Sequence, residues 1–393
     1  MISMMRLLLV FGTRPEAIKL APVLQCLRRY KEFDTKVCVT AQHRAMLDQV
    51  LEAFHVKPDH DLDLMLPGQT LSQSTSRILA AMEGVIGVEK PDMVLVQGDT
   101  TTTMATAMAA FYHRVPVGHV EAGLRTNDLQ QPFPEEMNRV VTTRLASLHF
   151  APTEGAARNL AAEHVDLSRV HVTGNTGIDA VLYVCRELAA GRLHGWQAPE
   201  LDPSRKLIVV TAHRRENFGD GLDHMIAALR RLSRRPDVQI VYPVHRNPNV
   251  LGPVMNGLSN LANVMLVEPL DYVSFVDLMR RAWMLLTDSG GIQEEGPSLG
   301  KPVLVMREKT ERPEAVEAGT VKLVGTDESR IVSEANRLLD DAREYARMQR
   351  IHNPYGDGHA SERIAAAIRG VFGKLPTIGA LRDCRSDKPG QLL

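Results

Sequence analysis

The sequence predicts the α/β fold class, with two doubly wound, Rossmann-like domains that follow one another along the chain. Short, nearly uninterrupted apolar segments alternate with helical patterns, which is typical of parallel sheets covered by helices on both faces. These segments form two series, separated near residues 191–204 by a stretch that contains two prolines and Gly195. Polar and glycine-containing motifs follow the strands, where doubly wound sheets bind their ligands.

The elements can be assigned in order along the chain. The first series of predicted strands comprises Leu7–Phe11, Lys36–Thr40, Met93–Gln97, Val115–Val120, Leu148–Ala151 and Val170–Thr173. The second comprises Leu207–Thr211, Gln239–Val244, Val264–Val267, Met284–Thr287, Val303–Met306 and Val321–Val324. One long helix is expected from about 328 to 351 and another from 361 to 372. We expect an N-terminal domain at 1–185, a C-terminal domain at 186–373 whose last helix packs back on the first domain, and a disordered polar tail at 374–393.

The amino-acid composition of the chain excludes several functional classes. The chain has 393 residues, 44% of them apolar, and a formal net charge of −1, so large cores are expected and a nucleic-acid partner is not. Its four cysteines lie far apart without metal-ligand spacing, which favours a reduced, cytoplasmic protein and no metal site. The chain enters its first strand almost at once and contains no apolar run of spanning length, so neither a signal sequence nor membrane insertion is expected.

The segment from Thr287 to Pro302 is the most informative motif. A predicted strand runs into Ser289, Gly290 and Gly291, after which a helix opens and carries two further acids, Glu294 and Glu295. Glycines let backbone N–H groups approach a ligand closely, and the helix N-terminus favours an anion. The pattern differs from the dinucleotide and Walker fingerprints, so a nucleotide-sugar diphosphate is the expected anion. The structural alternative is an ordinary strand–turn–helix connection.

Loops of the first half carry candidate acids, bases and cations. Arg14 and Lys19 follow the first strand, behind a Thr13 that can cap a helix begun by Pro15. Asp99 and Glu121 each end a later strand, and in the doubly wound order the three strands would be neighbours. Two converging carboxylates suit general acid–base chemistry, whereas capping and solvated charges are the structural alternatives.

Further candidate site residues lie at the start of one predicted helix and in the second half of the chain. Two prolines precede Glu135 and Glu136, whose position in a first helical turn is also favourable for electrostatic reasons alone. His213 follows a buried strand and could meet a substrate, or could be a neutral histidine bonded to the backbone. His245 repeats that position after the next strand, and the charges at 307–314 can bridge one another.

Taken together, these motifs resemble the non-hydrolysing UDP-N-acetylglucosamine 2-epimerases. The similarity runs from Arg6 to about Phe372, with the loops in the order of that family. The matching pieces are Gly12–Lys19, Gln97–Thr102, His119–Thr126, Pro132–Arg139, His213–Asn217, Thr287–Pro302, Glu311–Glu314 and Asn353–Gly358.

The resemblance implies a glycosyltransferase-B-like architecture in which the two domains face a central cleft that holds the active site. It implies interconversion of UDP-N-acetylglucosamine and UDP-N-acetylmannosamine, without an added cofactor or metal, by elimination of UDP to 2-acetamidoglucal and re-addition. The partners it implies are the UDP-sugar substrate and a second copy in a homodimer, in a pathway of polysaccharide biosynthesis.

The resemblance also assigns roles to single residues. The catalytic residues would be Asp99, Glu121, Glu135 and His213, with the order of the carboxylates at C2 left open. Substrate would be bound by Arg14, Lys19, Phe275, Ser289, Gly290, Gly291, Glu295 and Arg312. Within that set, Phe275 would pack on the uracil and Glu295 would bind the ribose.

Some positions depart from the family pattern. Gln42, His43, Arg214 and His245 match part of a second site, at which many members bind UDP-N-acetylglucosamine as an activator. Ala45 and Gly68 stand where that pattern has a glutamine and an arginine, which favours loss of activation and hyperbolic kinetics. Leu270 replaces a glutamine expected on the uracil side.

The sequence is compatible with four other interpretations. A UDP-sugar glycosyltransferase shares the fold and the diphosphate site, but needs an acceptor pocket and one base rather than three candidate carboxylates. A hydrolysing epimerase would release free UDP with every turnover. The substrate could instead be a modified UDP-2-acetamido sugar, such as a 2,3-diacetamido uronic acid derivative. A sensor without activity would bind the nucleotide sugar and exchange nothing at C2.

Overall fold

The computed structural model describes residues 4–40, 44–66, 68–197, 201–310, 312–349 and 353–372. The chain forms two compact units, one made of the residues up to Thr176 together with those from His359 onward, the other of Gly177–Gly358. The segment expected to link the domains, and the helix before it, therefore belong to the second unit. The tail predicted at 374–393 lies outside the described residues.

The first unit is a seven-stranded parallel sheet with helices between the strands. Its elements are β1 Met5–Phe11, α1 Arg14–Leu27, β2 Phe33–Val39, α2 Arg44–Ala53, β3 His60–Asp61, α3 Leu71–Glu89, β4 Met93–Gln97, α4 Thr101–Tyr112, β5 Val117–Val120, α5 Glu135–Leu145, β6 Leu148–Ala151, α6 Glu154–Ala162 and β7 Val170–Val172. The strand order is β3-β2-β1-β4-β5-β6-β7. From the far end of the chain, α15 Ala360–Phe372 packs on α1.

The second unit is a six-stranded parallel sheet with the order β10-β9-β8-β11-β12-β13. Its elements are α7 Thr176–Ala189, β8 Lys206–Thr211, α8 Asp220–Leu232, β9 Val238–Pro243, α9 Pro248–Leu258, β10 Val264–Val267, α10 Tyr272–Arg281, β11 Met284–Thr287, α11 Gly290–Ser298, β12 Val303–Val305, α12 Pro313–Glu317, β13 Val321–Leu323, α13 Glu328–Asp340 and α14 Ala342–Met348. Both sheets are parallel throughout their described pairings, which confirms the predicted fold class.

Both cores are built as the strand patterns predicted. All five residues of β4 are buried, and Val94 and Val96 pack with Ile78 and Met82 of α3. In the second unit, Leu286 of β11 belongs to a cluster that includes side chains of α8 and α13. Strands buried on both faces are mostly apolar, so most polar side chains lie in the loops at the strand ends.

The prediction of one long helix from about 328 to 351 is wrong. The chain breaks at Asp341, and its side chain accepts hydrogen bonds from the backbone N–H groups of Arg343 and Glu344 at 2.9 and 3.1 Å. Asp341 therefore ends α13 and caps α14. Periodicity alone missed the break because Met348 is the one apolar residue that α14 fully buries, which is too few to reveal a second helix.

Each sheet reverses its strand order once among its described strands. In the first unit the reversal lies between β1 and β4, and in the second between β8 and β11. Loops on either side of such a point run in opposite directions and leave a crevice at the carboxyl ends of the strands. The candidate site residues therefore belong to the loops that an open α/β sheet uses for ligands.

Candidate active site

Asp99 lies just beyond β4, beside the reversal point of the first sheet. The strands that end at Gly12, Asp99 and Glu121 are neighbours, as predicted. The Arg139 guanidinium lies 2.9 Å from the Asp99 carboxylate, and the Asn138 amide donates to the Asp99 carbonyl oxygen at 2.9 Å. Both side chains come from α5, which therefore fixes the Asp99 loop.

The environment of Asp99 raises the pKa of its carboxyl group. Burial raises the pKa of Asp99 from 3.8 to about 6, the Arg139 charge lowers it, and the charges of Glu121 and Glu135 raise it. Glu121 follows β5, the neighbour of β4, and Glu135 begins the helix that contacts Asp99, so both are near enough to act on its charge.

Glu121 has a different environment. The Lys19 ammonium lies 2.5 Å from one carboxylate oxygen, and the buried Gln97 amide donates to the other. The side chain is only 8% exposed, and donors on both oxygens stabilise the ionised carboxylate. Its backbone φ of 65° is uncommon for a residue other than glycine and is typical of functional sites.

A buried carboxylate that the sequence analysis left out joins two of these loops. Glu16 forms the capping box of α1 with Thr13, whose predicted capping role is confirmed. Its carboxylate accepts from Gly12 N at 2.9 Å and from the Thr100 hydroxyl at 2.5 Å, and burial raises its pKa. The Thr-x-x-Glu spacing is a known capping signal that could have identified it.

The two glutamates at the start of α5 differ in burial and in hydrogen bonding. Glu136 is buried, and its carboxylate accepts from the backbone N–H groups of Thr126 and Asn127, both at 3.0 Å. Glu135 is the first residue of the helix and is partly exposed. Arg14 is likewise partly exposed, at the first position of α1. Glu136 is therefore structural, and Glu135 stays a candidate for chemistry.

In the second unit, the start of α11 is arranged to receive an anion. The helix begins at Gly290, and the Ser289 side chain makes no capping hydrogen bond. A Cβ atom added at Gly291 would meet nothing within 4 Å, so the first turn is open. The first N–H groups of a helix have no partner within it, which makes this turn a suitable anion site.

Residues that follow β8 lie beside the same turn. A Cβ atom added at Gly290 would be 3.7 Å from the Arg214 guanidinium, so that cation stands next to the helix start. His213 stacks on His245 with ring centroids 5.5 Å apart. Arg214 and His245, predicted as activator residues, therefore neighbour predicted catalytic and diphosphate residues. Gln42 and His43 lie outside the described residues.

The two glutamates of α11 also differ in burial. Glu294 is 5% exposed and forms an ion pair with Arg312, while Glu295 is partly exposed. The Arg312 charge is therefore paired with Glu294 in this unit. Phe275 lies on α10 and is half-buried.

Two general features concern the described part of the chain alone. None of its helices combines the length and the apolar character that a membrane span requires. Within the same residues, no group of three or more His, Cys, Asp or Glu side chains is placed to hold a metal ion.

The paired doubly wound sheets define a two-domain α/β class that includes glycosyltransferases. The structure is similar to that of the glycosyltransferase SnogD from Streptomyces nogalater, with a TM-score of 0.60 over 94% of this chain and 99% of that chain. At 14% identity this likeness concerns the fold alone. The chain itself belongs to the UDP-N-acetylglucosamine 2-epimerase family, whose sequence model matches residues 25–369.

Individual relatives support the same assignment. The UDP-N-acetylglucosamine 2-epimerase of Salmonella typhimurium is 57% identical over 370 residues, which cover 93% of this chain and 98% of the relative. The crystal structure of the Neisseria meningitidis UDP-GlcNAc 2-epimerase, bound to UDP-GlcNAc, matches with a TM-score of 0.85 and 48% identity, over 93% of this chain and all of that one. These findings confirm the predicted family and the predicted enzyme class, an isomerase.

Proposed function

We propose that this protein interconverts UDP-N-acetylglucosamine and UDP-N-acetylmannosamine by eliminating UDP to 2-acetamidoglucal and adding it back. The observation that carries the proposal is the grouping of Asp99, Glu121 and Glu135 at one edge of the first sheet, where the two glutamates raise the pKa of Asp99. Inversion at C2 requires one group that removes the proton and another that delivers it to the opposite face. A set of carboxylates with unlike environments supports that division.

The proposed roles follow the environments of the carboxylates. Glu121, ionised between Lys19 and Gln97, is suited to accept a proton. Asp99, whose burial raises its pKa to about 6, is suited to donate and regain a proton at a pH close to neutral. Because the reaction is reversible, the two groups exchange roles between directions, and Glu135 completes the acidic surroundings of the sugar.

In the second unit, we assign the leaving group to the start of α11. Ser289, Gly290 and Gly291 would hold the diphosphate by backbone N–H groups and a hydroxyl, with Arg214 beside them. Arg14, Lys19 and His213 would offset the charge that develops as UDP departs. Glu295 would bind the ribose, Phe275 would pack on the uracil, and Arg312 would hold Glu294 in place.

Proton NMR in deuterium oxide tests the function directly. With UDP-N-acetylglucosamine as the only substrate, we expect the manno epimer to appear with deuterium at C2, because the abstracted proton exchanges before re-addition. An epimer that keeps its original hydrogen at C2 would contradict the elimination route. Absence of the epimer, with sugar transfer once an acceptor is added, would instead identify a glycosyltransferase.

We further propose a cytoplasmic homodimer. Cys38 is buried and forms no disulfide within the described residues, and a reducing compartment keeps such a thiol in that state. Light scattering on the purified protein should give twice the chain mass of 43.5 kDa. A mass of one chain at micromolar concentration would refute the dimer without affecting the proposed reaction.

A further inference from the structure

Asp288 is a buried carboxylate between β11 and α11, with its side chain 0% exposed. One oxygen, Oδ2, accepts from His213 N at 2.8 Å and from Arg214 N at 2.7 Å. The Asn217 amide adds a contact at 3.3 Å. These bonds fix the orientation of the carboxylate and join the loop after β11 to the loop after β8.

The second oxygen of Asp288 is unusual. Oδ1 is buried and, within the described residues, accepts no hydrogen bond. The Nδ1 atom of His213 lies 3.5 Å from it. Buried polar atoms without a partner are rare, and hydrogen bonds used in catalysis are often long before a substrate binds. His213 Nδ1 is therefore the group that can become the hydrogen-bond partner of Oδ1 in the working enzyme.

The other groups around His213 do not replace this contact. On the neighbouring strand β9, the Tyr242 hydroxyl donates to Ala212 O at 2.9 Å and so is already engaged. His245 stacks on the His213 ring rather than bonding in its plane. Burial lowers the pKa of His213, Asp288 raises it, and His245 and Arg214 lower it. Asp288 is therefore the group in this set that favours the imidazolium.

We propose that Asp288 is a positioning residue that holds a proton on Nδ1 of His213, so that Nε2 serves the diphosphate of the substrate. This inference rests on the proposed function. When the substrate binds, His213 takes a proton from solvent on Nε2. As the C1–O bond breaks, its electron pair stays on the diphosphate oxygen and the Nε2 proton moves to that oxygen. Re-addition of UDP to the glucal returns the proton to Nε2, so no net proton is consumed.

The variant Asp288→Asn separates this role from a structural one. The amide has the size of the carboxylate, and its oxygen can still accept from the two backbone N–H groups. Its NH₂ group would face Nδ1 and force the other tautomer, in which Nε2 already carries the hydrogen of the neutral ring. We expect kcat to fall about 10- to 100-fold while KM changes by less than about threefold.

Two readouts would not respond to a merely structural loss. Nitrogen NMR on protein labelled with ¹⁵N-histidine, with His213→Gln to assign the signal, should show neutral His213 protonated at Nδ1 in the wild type and at Nε2 in Asp288→Asn. In a double-mutant cycle, Asp288→Asn should lower kcat little when His213→Gln is already present, because Asp288 acts through the His213 ring.

Asp277 offers a matched control in the same unit. It is 1% exposed and forms ion pairs with Arg280, at 2.8 Å, and with Arg281, so Asp277→Asn also removes a buried carboxylate, but one whose ion-pair partners are arginines. That variant should keep the His213 tautomer and kcat.

The inference would be overturned by an Nε2-protonated His213 in the wild type, by a kcat of Asp288→Asn close to the wild-type value, or by additive losses in the cycle. If Asp288→Asn does not fold, the nitrogen NMR spectrum of wild-type His213 tests the inference by itself. Lack of epimerisation by the wild type would refute the proposed function, whereas the tautomer is read without turnover.

Discussion

Replacing Asp99 with asparagine should lower turnover about 10²- to 10⁴-fold, the range that a general acid or base contributes. The amide keeps the size of the side chain and can still contact Arg139, but it can neither hold nor accept the proton. Binding of UDP alone should be unchanged, since the proposed diphosphate residues Ser289, Gly290 and Gly291 belong to the other unit. Initial rates by coupled assay and UDP titration calorimetry would measure both quantities.

The same substitution should not destabilise the fold at neutral pH. The folded-state pKa of Asp99 is raised from 3.8 to about 6, so between these values the folded chain holds a proton that the unfolded chain has lost. Stability therefore falls as pH rises through this window, and the cost persists above it. The unfolding free energy of Asp99→Asn, relative to wild type, should increase from pH 4 to pH 6 and then remain constant.

Asp92 provides the control for Asp99. It lies just before β4, at the opposite end of the same strand, where its carboxylate accepts from Arg6 N at 2.8 Å. Asp92→Asn can keep that bond and should turn over normally. If Asp99→Asn retained turnover within about threefold of wild type, Asp99 would have no part in proton transfer.

Glu121→Gln is expected to have an effect of similar size, about 10²- to 10⁴-fold on turnover. In the proposed mechanism the Glu121 carboxylate, held between Lys19 and Gln97, is the group that accepts the proton. A glutamine has no such capacity, and its NH₂ group would face one of the two donors. The fall should appear in kcat for both directions of the reaction, because each direction needs both proton-transfer groups.

Glu89→Gln is the corresponding control. Glu89 ends α3 and pairs with His60 at 2.7 Å, so the substitution also removes a partly buried, partnered carboxylate. We expect little change in its kcat. A Glu121→Gln enzyme with normal turnover would show that Glu121 is a structural partner of Lys19, and Glu135 would then be the remaining candidate in the predicted set.

The sequence predicted the sheets and the loops because their physical causes are local. Continuous apolar runs such as Met93–Gln97 specify buried parallel strands, and the polar residues that follow them must lie at the strand ends. The helix start at Gly290 was predicted on the same grounds. Neighbouring positions of the strands that end near Gly12, Asp99 and Glu121 followed from the common doubly wound order.

Pairings between distant residues could not be predicted in this way. Glu294 and Glu295 are adjacent acids of one helix, and the sequence does not show that Glu294 is the one that pairs with Arg312, from the loop before α12. The contact between His213 and Asp288 depends on β8 lying beside β11, and the stacking of His245 depends on β9 lying on the other side. The break at Asp341 was missed because Met348 is the one apolar residue that α14 fully buries.

The return of α15 to the first unit has a consequence for how the chain is made on the ribosome. Ile364, Ala365 and Ile368 of α15 are fully buried, and Arg369 pairs with Glu32 just before β2 at 2.7 Å. The first unit is therefore incomplete until translation has passed the whole of residues 177–358, which form the second unit without interruption. The half that emerges first is expected to reach its final form last, and chaperones that shield nascent chains would meet an uncovered α1 face during that interval.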